Sequence, residues 1–153
     1  MEIELNSYEL LIHEVPLLIM EEYTQYGKRQ NESGGIILGK IVSDQINILR
    51  LSIPTSLDKS SRYNFERSKT GAQIIIDYEF KNSHGQTIYL GEWHTHPEEY
   101  PTPSKQDIRM IKEQYSQNKL NVPFVILMIK GTKGIFIGII DEEGFHKHNL
   151  TIK

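Results

Sequence analysis

Apolar residues recur at helical spacing over residues 15 to 26, where Val15, Leu18, Ile19, Tyr23 and Tyr26 share a face. Pro16 is tolerated in the first turn of such a helix and Gly27 ends it. The period then changes. GGIILGKIV at 34–42 and INILRLSI at 46–53 flank a short SDQ turn, which predicts a hairpin whose second strand is broken by Pro54. Residues 55–70 are polar and irregular, a predicted loop holding one short strand around Tyr63 to Glu66. GAQIIIDYEFKNS at 71–83 predicts a second helix, although its isoleucine triplet would also suit a strand. After an SHGQ turn, TIYLGEW at 87–93 reads as a strand feeding straight into His94-Thr95-His96-Pro97. A third helix is expected from Ser104, with Ile108, Ile111 and Tyr115 on one face. Runs at 123–131, 134–141 and 144–152, joined by glycine-containing turns, predict a meander.

The runs at 123–131 and 134–141 are almost wholly apolar, as strands covered on both faces are. Three helices around a largely antiparallel or mixed sheet give an α/β or α+β class, and a chain of 153 residues suits one domain spanning 1–153. Charge then narrows the partners. With 17 Lys and Arg against 20 Asp and Glu, the chain lacks the basic excess of a phosphate-backbone binder, so no nucleic-acid partner is expected. No apolar run nears the ~18 residues of a membrane span, and MEIELNSYELLIHE lacks the layout of a signal peptide. A soluble, cytoplasmic domain is the expectation. The chain has no Cys, which removes disulfides, thiolate zinc clusters, Fe–S clusters and cysteine nucleophiles. It also argues against a zinc nucleobase deaminase. Any metal must be held by His and carboxylates.

That requirement directs attention to GEWHTHPEEYPTPSKQDIRMI at 91–111. His94 and His96 stand two apart, so in extended chain both imidazoles project from one side and one divalent ion can take a nitrogen from each. Pro97, Pro101 and Pro103 stiffen a short loop leading to Ser104 and Asp107 at the third helix start. Asp107 can supply a third ligand. Three protein ligands with one open position is how catalytic zinc is held. Ser104-x-x-Asp107 also fits a capping box, and the two readings are compatible. Hydrolysis needs a base to direct water and an acid for the leaving amine, and Glu32, in Asn-Glu-Ser-Gly-Gly, is the candidate. Glu92 lies on the strand face of His94 and could brace a ligand imidazole or pair with a nearby base. Trp93 points the other way, into the core. His146 and His148 repeat the H-x-H spacing without a carboxylate at ligand spacing and read as structural, as do His13 and His84.

Glu32 with SGGIILG at 33–39, then His94-Thr95-His96-Pro97, Ser104 and Asp107, resembles the JAMM (MPN+) zinc metalloproteases. Every defined position of their E-x(n)-H-[ST]-H-x(7)-S-x-x-D pattern is matched, and the resemblance runs from about Glu32 to Ile140. It implies a JAB/MPN-like fold with one Zn²⁺ per chain on His94, His96 and Asp107, Glu32 as acid/base, and Ser104 stabilising the tetrahedral oxyanion. The implied activity is hydrolysis of the bond after a conjugated protein C-terminus. The short, Cys-free chain is most similar to compact prokaryotic members found beside E1/E2-like proteins in bacterial anti-phage operons of the CBASS type. There the conjugated C-terminus belongs to a nucleotidyltransferase. Such a tail could add along an exposed strand edge, with Lys59, Arg62, Arg67 and Lys69 meeting acidic groups on the substrate. A non-catalytic scaffold on the same fold and a peptidase for sulfur-carrier or ubiquitin-like proteins remain the competing readings.

Overall fold

Alternating polar and apolar positions at the very start of the chain form the first two strands. In the computed structural model, which describes residues 1–151, β1 (Glu2–Leu5) and β2 (Tyr8–Ile12) pair as a hairpin turned at Asn6, whose φ is 55°. Ile3, Leu5, Leu10 and Ile12 are buried in a period-two pattern, two strands beyond those expected. The remaining elements follow the expected order. They are α1 (Glu14–Glu22), β3 (Gly34–Val42), β4 (Gln45–Leu51), β5 (Lys59–Ser61), β6 (Asn64–Glu66) and α2 (Lys69–Asn82). Then come β7 (Ile88–Thr95), α3 (Lys105–Gln117), β8 (Val125–Lys130), β9 (Gly134–Asp141) and β10 (Gly144–Thr151). Ile152, the last residue of the predicted final strand, lies outside the described residues.

Eight strands form one mixed sheet in the order β1-β2-β4-β3-β7-β8-β9-β10, and β5 and β6 make a separate small hairpin. The β3–β4 hairpin turns through Ser43 and Asp44, both at positive φ (48° and 67°), as a two-residue turn matched to strand twist requires. β7 and β8 are parallel, which a tight turn cannot achieve, and α3 makes the crossover between them. β8, β9 and β10 form the predicted antiparallel meander.

Apolar side chains fill both faces of the sheet. On one, Met20 of α1 joins Ile37, Ile48, Leu90, Trp93, Ile126 and Met128. On the other, α3 sets Ile111 against Val125, Leu127 and Ile129, while Ala72 of α2 meets Ile36 and Leu38. Ile111 is fully buried, worth about 1.5–3 kcal/mol for a side chain of this kind. It lies one turn after Asp107 on the same helix face, so packing the helix also aims that carboxylate. Among the described residues, no helix is long and apolar enough to cross a membrane.

Two expectations are corrected. The first helix ends at Glu22 rather than running on to Tyr26, and its buried positions are Pro16 and Met20, while Val15 and Leu18 are 55% and 60% exposed. The reason is local: Thr24 Oγ1 donates to the Met20 carbonyl at 2.8 Å, and Gln25 turns inward to tertiary partners, so the periodicity past residue 22 is not used. The second correction is at 55–70, where two short strands rather than one pair as β5 and β6.

Candidate metal centre

The site forms where β7 ends and the α3 crossover begins. β7 is extended through Thr95, so His94 and Thr95 alternate across the sheet, and both histidine rings fall on the side facing α3. β3 runs antiparallel beside it with Gly34 opposite His94. A Cβ on Gly34 would lie 2.5 Å from the Trp93 carbonyl oxygen and 2.7 Å from the Phe65 ring, so glycine lets β3 and the β5–β6 hairpin close in beside the histidines. Across the site, Gly131 does the same for the proline-rich loop, since a Cβ there would meet Pro101 Cδ at 2.5 Å and the Glu98 carbonyl oxygen at 2.6 Å.

The donor atoms converge. His94 Nε2 and His96 Nε2 are 3.1 Å apart. Asp107 reaches both, with Oδ1 3.2 Å from His94 Nε2 and Oδ2 3.1 Å from His96 Nε2. Asp107 is fixed by the capping box at the start of α3: its Oδ2 accepts from the Ser104 N–H at 2.8 Å, and Ser104 Oγ accepts from the Asp107 N–H at 3.0 Å. Glu32, only 5% exposed, joins the cluster with its Oε1 3.8 Å from His96 Nε2, and its backbone N–H donates to the Ser61 carbonyl at 2.7 Å. Glu32, His94 and His96 together bring one ligand atom each within 4.8 Å of one another.

This donor set suits a metal ion. Two imidazole nitrogens aimed at each other can share only one proton, and the carboxylate adds further lone pairs to the same point. Zn–N distances of about 2.0–2.1 Å make the edge of a tetrahedral site about 3.3–3.4 Å, close to the 3.1 Å between the two histidine nitrogens. Both carboxylates approach His96 Nε2, Asp107 at 3.1 Å and Glu32 at 3.8 Å.

The electrostatics of the cluster follow from burial and crowding. Burial pushes the Glu32 carboxyl up to about 8, with Asp107 and Glu98 adding to the shift and His96 opposing it. Burial would by itself lower His96, but the hydrogen bond and charge of Asp107, with Glu32 and Glu98, raise it above its ordinary value. Asp107 shows the reverse: burial disfavours its charge, yet the hydrogen bonds from His94 and His96 hold it well below the usual carboxylate range. Glu98 enters this cluster with Oε1 3.3 Å from His96 Nδ1. It was not singled out from sequence, and the acidic pair directly after His96-Pro97 was the available signal.

Other expectations resolve separately. Glu92 is taken by Arg67, whose Nε donates to Glu92 Oε1 at 2.5 Å while Nη2 reaches Gln114 Oε1 at 3.3 Å. The base-pairing reading of Glu92 therefore holds. Arg67 is thereby removed from the expected substrate-facing set, because a guanidinium paired inside the fold has little charge left to offer. Arg62 lies at the surface, Nη1 donating to the Gly27 carbonyl and the guanidinium 5.6 Å from the centre of the exposed Tyr63 ring, while Lys59 and Lys69 stay exposed. Trp93 is core, with its Nε1 donating to the Ser52 carbonyl. His146 and His13 are structural, contacting Asp141 and Asn47 respectively, and His84 is an exposed turn residue at φ 55°. A groove of about 420 Å³ leads to His94 and Asp107, walled by Phe65 of β6 and Met110 of α3.

Residues 23–138 match the family described as prokaryotic homologs of the JAB domain. The chain belongs to the prokaryotic JAB-domain family. This JAB chain is 31% identical over 135 residues to a CD-NTase/cGAS isopeptidase of Escherichia coli (strain TW11681), covering 88% of this chain and 83% of that protein. A CD-NTase/cGAS isopeptidase of Pseudomonas aeruginosa (strain BWHPSA011 / Pa011) is 32% identical, with 80% of this chain and 77% of the relative covered. One from Vibrio cholerae serotype O1 (strain ATCC 39315 / El Tor Inaba N16961) is 31% identical, with 79% and 75% covered. The fold matches the solution structure of a Desulfitobacterium hafniense protein with a TM-score of 0.62 over 94% of this chain and 92% of that one, at 17% identity. The JAB assignment agrees with the α+β architecture and mixed sheet described above.

Proposed function

We propose that this chain is a zinc-dependent isopeptidase that releases the C-terminus of a CD-NTase/cGAS-type nucleotidyltransferase from proteins to which it has been conjugated. Its setting is the bacterial cytoplasm, in an anti-phage system whose E1/E2-like ligase makes the conjugate. The names of three relatives similar over most of the chain support the substrate class. The observation that carries the chemistry is the convergence of His94, His96 and Asp107 to separations of 3.1–3.2 Å with buried Glu32 beside them.

His94, His96 and Asp107 would hold one Zn²⁺, leaving a coordination position open. The chemistry a bound zinc supplies is polarisation of the scissile carbonyl and acidification of a water toward a pKa of about 7. Glu32 then takes the proton of the attacking water and returns it to the leaving lysine amine. Burial raises the Glu32 carboxyl to about 8 in the metal-free protein, and a cation bound beside it would lower that value toward the range in which one carboxylate can take and return a proton near neutral pH. Ser104 spends its acceptor oxygen on the Asp107 N–H, which leaves its hydroxyl proton free to donate to the oxyanion. The extended tail would lie in the groove between β6 and α3 by strand addition, with Lys59 and Lys69 at its rim.

The test is a fusion of a nucleotidyltransferase C-terminal tail to a reporter, incubated with zinc-loaded and chelator-stripped protein, beside fusions carrying sulfur-carrier and ubiquitin-like tails. Cleavage of the nucleotidyltransferase fusion alone, lost on stripping and restored by zinc, is the expected result. Preference for a sulfur-carrier or ubiquitin-like tail would reassign the substrate, and activity indifferent to the chelator would overturn the metal assignment.

A further inference from the structure

Gln25 is a polar side chain that the fold has buried to 3% exposure, in an irregular stretch between α1 and β3 where an apolar residue would cost less. Its amide makes three hydrogen bonds to three different segments. Oε1 accepts from Thr95 Oγ1 at 2.8 Å, and Nε2 donates to the carbonyls of Gln30 at 3.1 Å and Arg62 at 3.0 Å. Thr95, fully buried between His94 and His96, passes the connection on: its Oγ1 accepts from the Ser33 N–H at 3.0 Å, and its own N–H donates to the Ser33 carbonyl at 2.9 Å. The result is an unbroken donor–acceptor chain from Ser33 N–H through the Thr95 hydroxyl to the Gln25 amide, ending on Gln30 and Arg62. Residues 30 and 33 flank Glu32. Arg62 lies in the β5–β6 hairpin, whose Ser61 carbonyl accepts the Glu32 N–H.

We infer that Gln25 and Thr95 are positioning residues which fix the backbone on both sides of Glu32 relative to the two histidines. No helix or strand holds residues 23–33, so their backbone groups depend on such bonds. The backbone carrying His94 and His96 is already set by the sheet, whereas Glu32 sits just before β3 begins. The amide is the one group in that stretch joining the Glu32 segment, the His-Thr-His segment and the hairpin lining the groove. A side chain acting this way moves Glu32 without touching substrate, and a displacement of about 1 Å at a reacting group can cost on the order of 10²-fold in rate.

This inference rests on the proposed role of Glu32. Its test uses the full chain loaded with zinc, the tail-reporter fusion as substrate, and Gln25→Met, Thr95→Val and Thr95→Ser. Gln25→Met and Thr95→Val should lower kcat about tenfold or more while KM and zinc content stay near wild type. Thr95→Ser, which keeps the hydroxyl, should restore most of kcat. The Gln25→Met/Thr95→Val double variant should be no slower than the worse single, because both cut the same chain. Independently of activity, amide hydrogen exchange of residues 30–34 should accelerate in both variants while β8 and β9 stay protected. Unchanged exchange, or unchanged kcat in a protein where Glu32→Ala abolishes cleavage, overturns the inference alone. Cleavage that survives Glu32→Ala removes the catalytic role of Glu32, and exchange at 30–34 then still decides whether the chain orders that segment. Failure of both Gln25→Met and Thr95→Val to fold would make the chain a general structural element and overturn its positioning role.

Discussion

Ser104 and Asp107 hold each other at the start of α3, each side chain accepting a hydrogen bond from the other's backbone N–H, at 3.0 and 2.8 Å. The same Asp107 oxygen that takes the Ser104 N–H lies 3.1 Å from His96 Nε2, so a helix cap and a candidate ligand are one carboxylate. Ser104→Ala should therefore cost about 1 kcal/mol of stability through the lost cap, read by urea denaturation. It should also lower turnover by about 10²-fold or more if the hydroxyl donates to the oxyanion. Lost stability with unchanged turnover would leave Ser104 as a cap.

Metal loading should release protons. In the metal-free protein His96 holds its proton more tightly than an ordinary imidazole, so a cation must displace it and apparent affinity should rise with pH. Calorimetric titration with zinc in two buffers of different ionisation heat measures the protons released. Elemental analysis of His94→Ala/His96→Ala and of Asp107→Ala should show zinc well below one per chain. Wild-type zinc content in either variant would contradict the ligand assignment.

Glu32 leaves a signature in the pH dependence of stability. Its carboxyl is raised from 4.5 to about 8 on folding, so the contribution it makes is present below pH 4.5 and lost as pH rises through about 8. Metal-free Glu32→Gln keeps a neutral group there at every pH. Thermal melts should then show the two proteins close at about pH 5 and the variant ahead by about pH 9. Some loss persists in both, because burial pushes Glu92 up to about 7 against the opposing charge of Arg67. A melting difference that does not change with pH would contradict the assignment.

Arg67 and Glu92 form a buried ion pair, their side chains 17% and 6% exposed. Arg67→Met strands a buried carboxylate and should cost about 3–5 kcal/mol, while Arg67→Met/Glu92→Met should recover much of that loss. Denaturant titration of the singles and the double closes the cycle. Equal stability of Arg67→Met and wild type would show the pair contributes nothing.

The site could be read along the chain because its spacings are local. Two histidines at i, i+2 share a strand face, and Ser104-x-x-Asp107 closes a cap at i, i+3, so sequence separation alone implied proximity. Glu32 has no such local relation to His94; the family pattern linked them, and the β3–β7 pairing brings Gly34 opposite His94. Arg67 was misjudged for the same reason inverted. Its partner Glu92 lies on another element, and nothing near Arg67 in sequence announces the pair. The end of α1 was misplaced because Tyr23 and Tyr26 continue a helical period that the tertiary bonds of Gln25 interrupt. The β1–β2 hairpin was legible in the alternation of Ile3 and Leu5 with glutamates, but lies outside the motif that drew attention.

An isopeptidase differs from a scaffold in that Glu32 does chemistry on a conjugate the protein also binds. Glu32→Ala should retain zinc and fold, capture a nucleotidyltransferase tail–reporter fusion as wild type does, and cleave it at least ~10²-fold more slowly. Cleavage by Glu32→Ala at the wild-type rate, or capture without cleavage by the zinc-loaded wild type, would contradict the isopeptidase assignment.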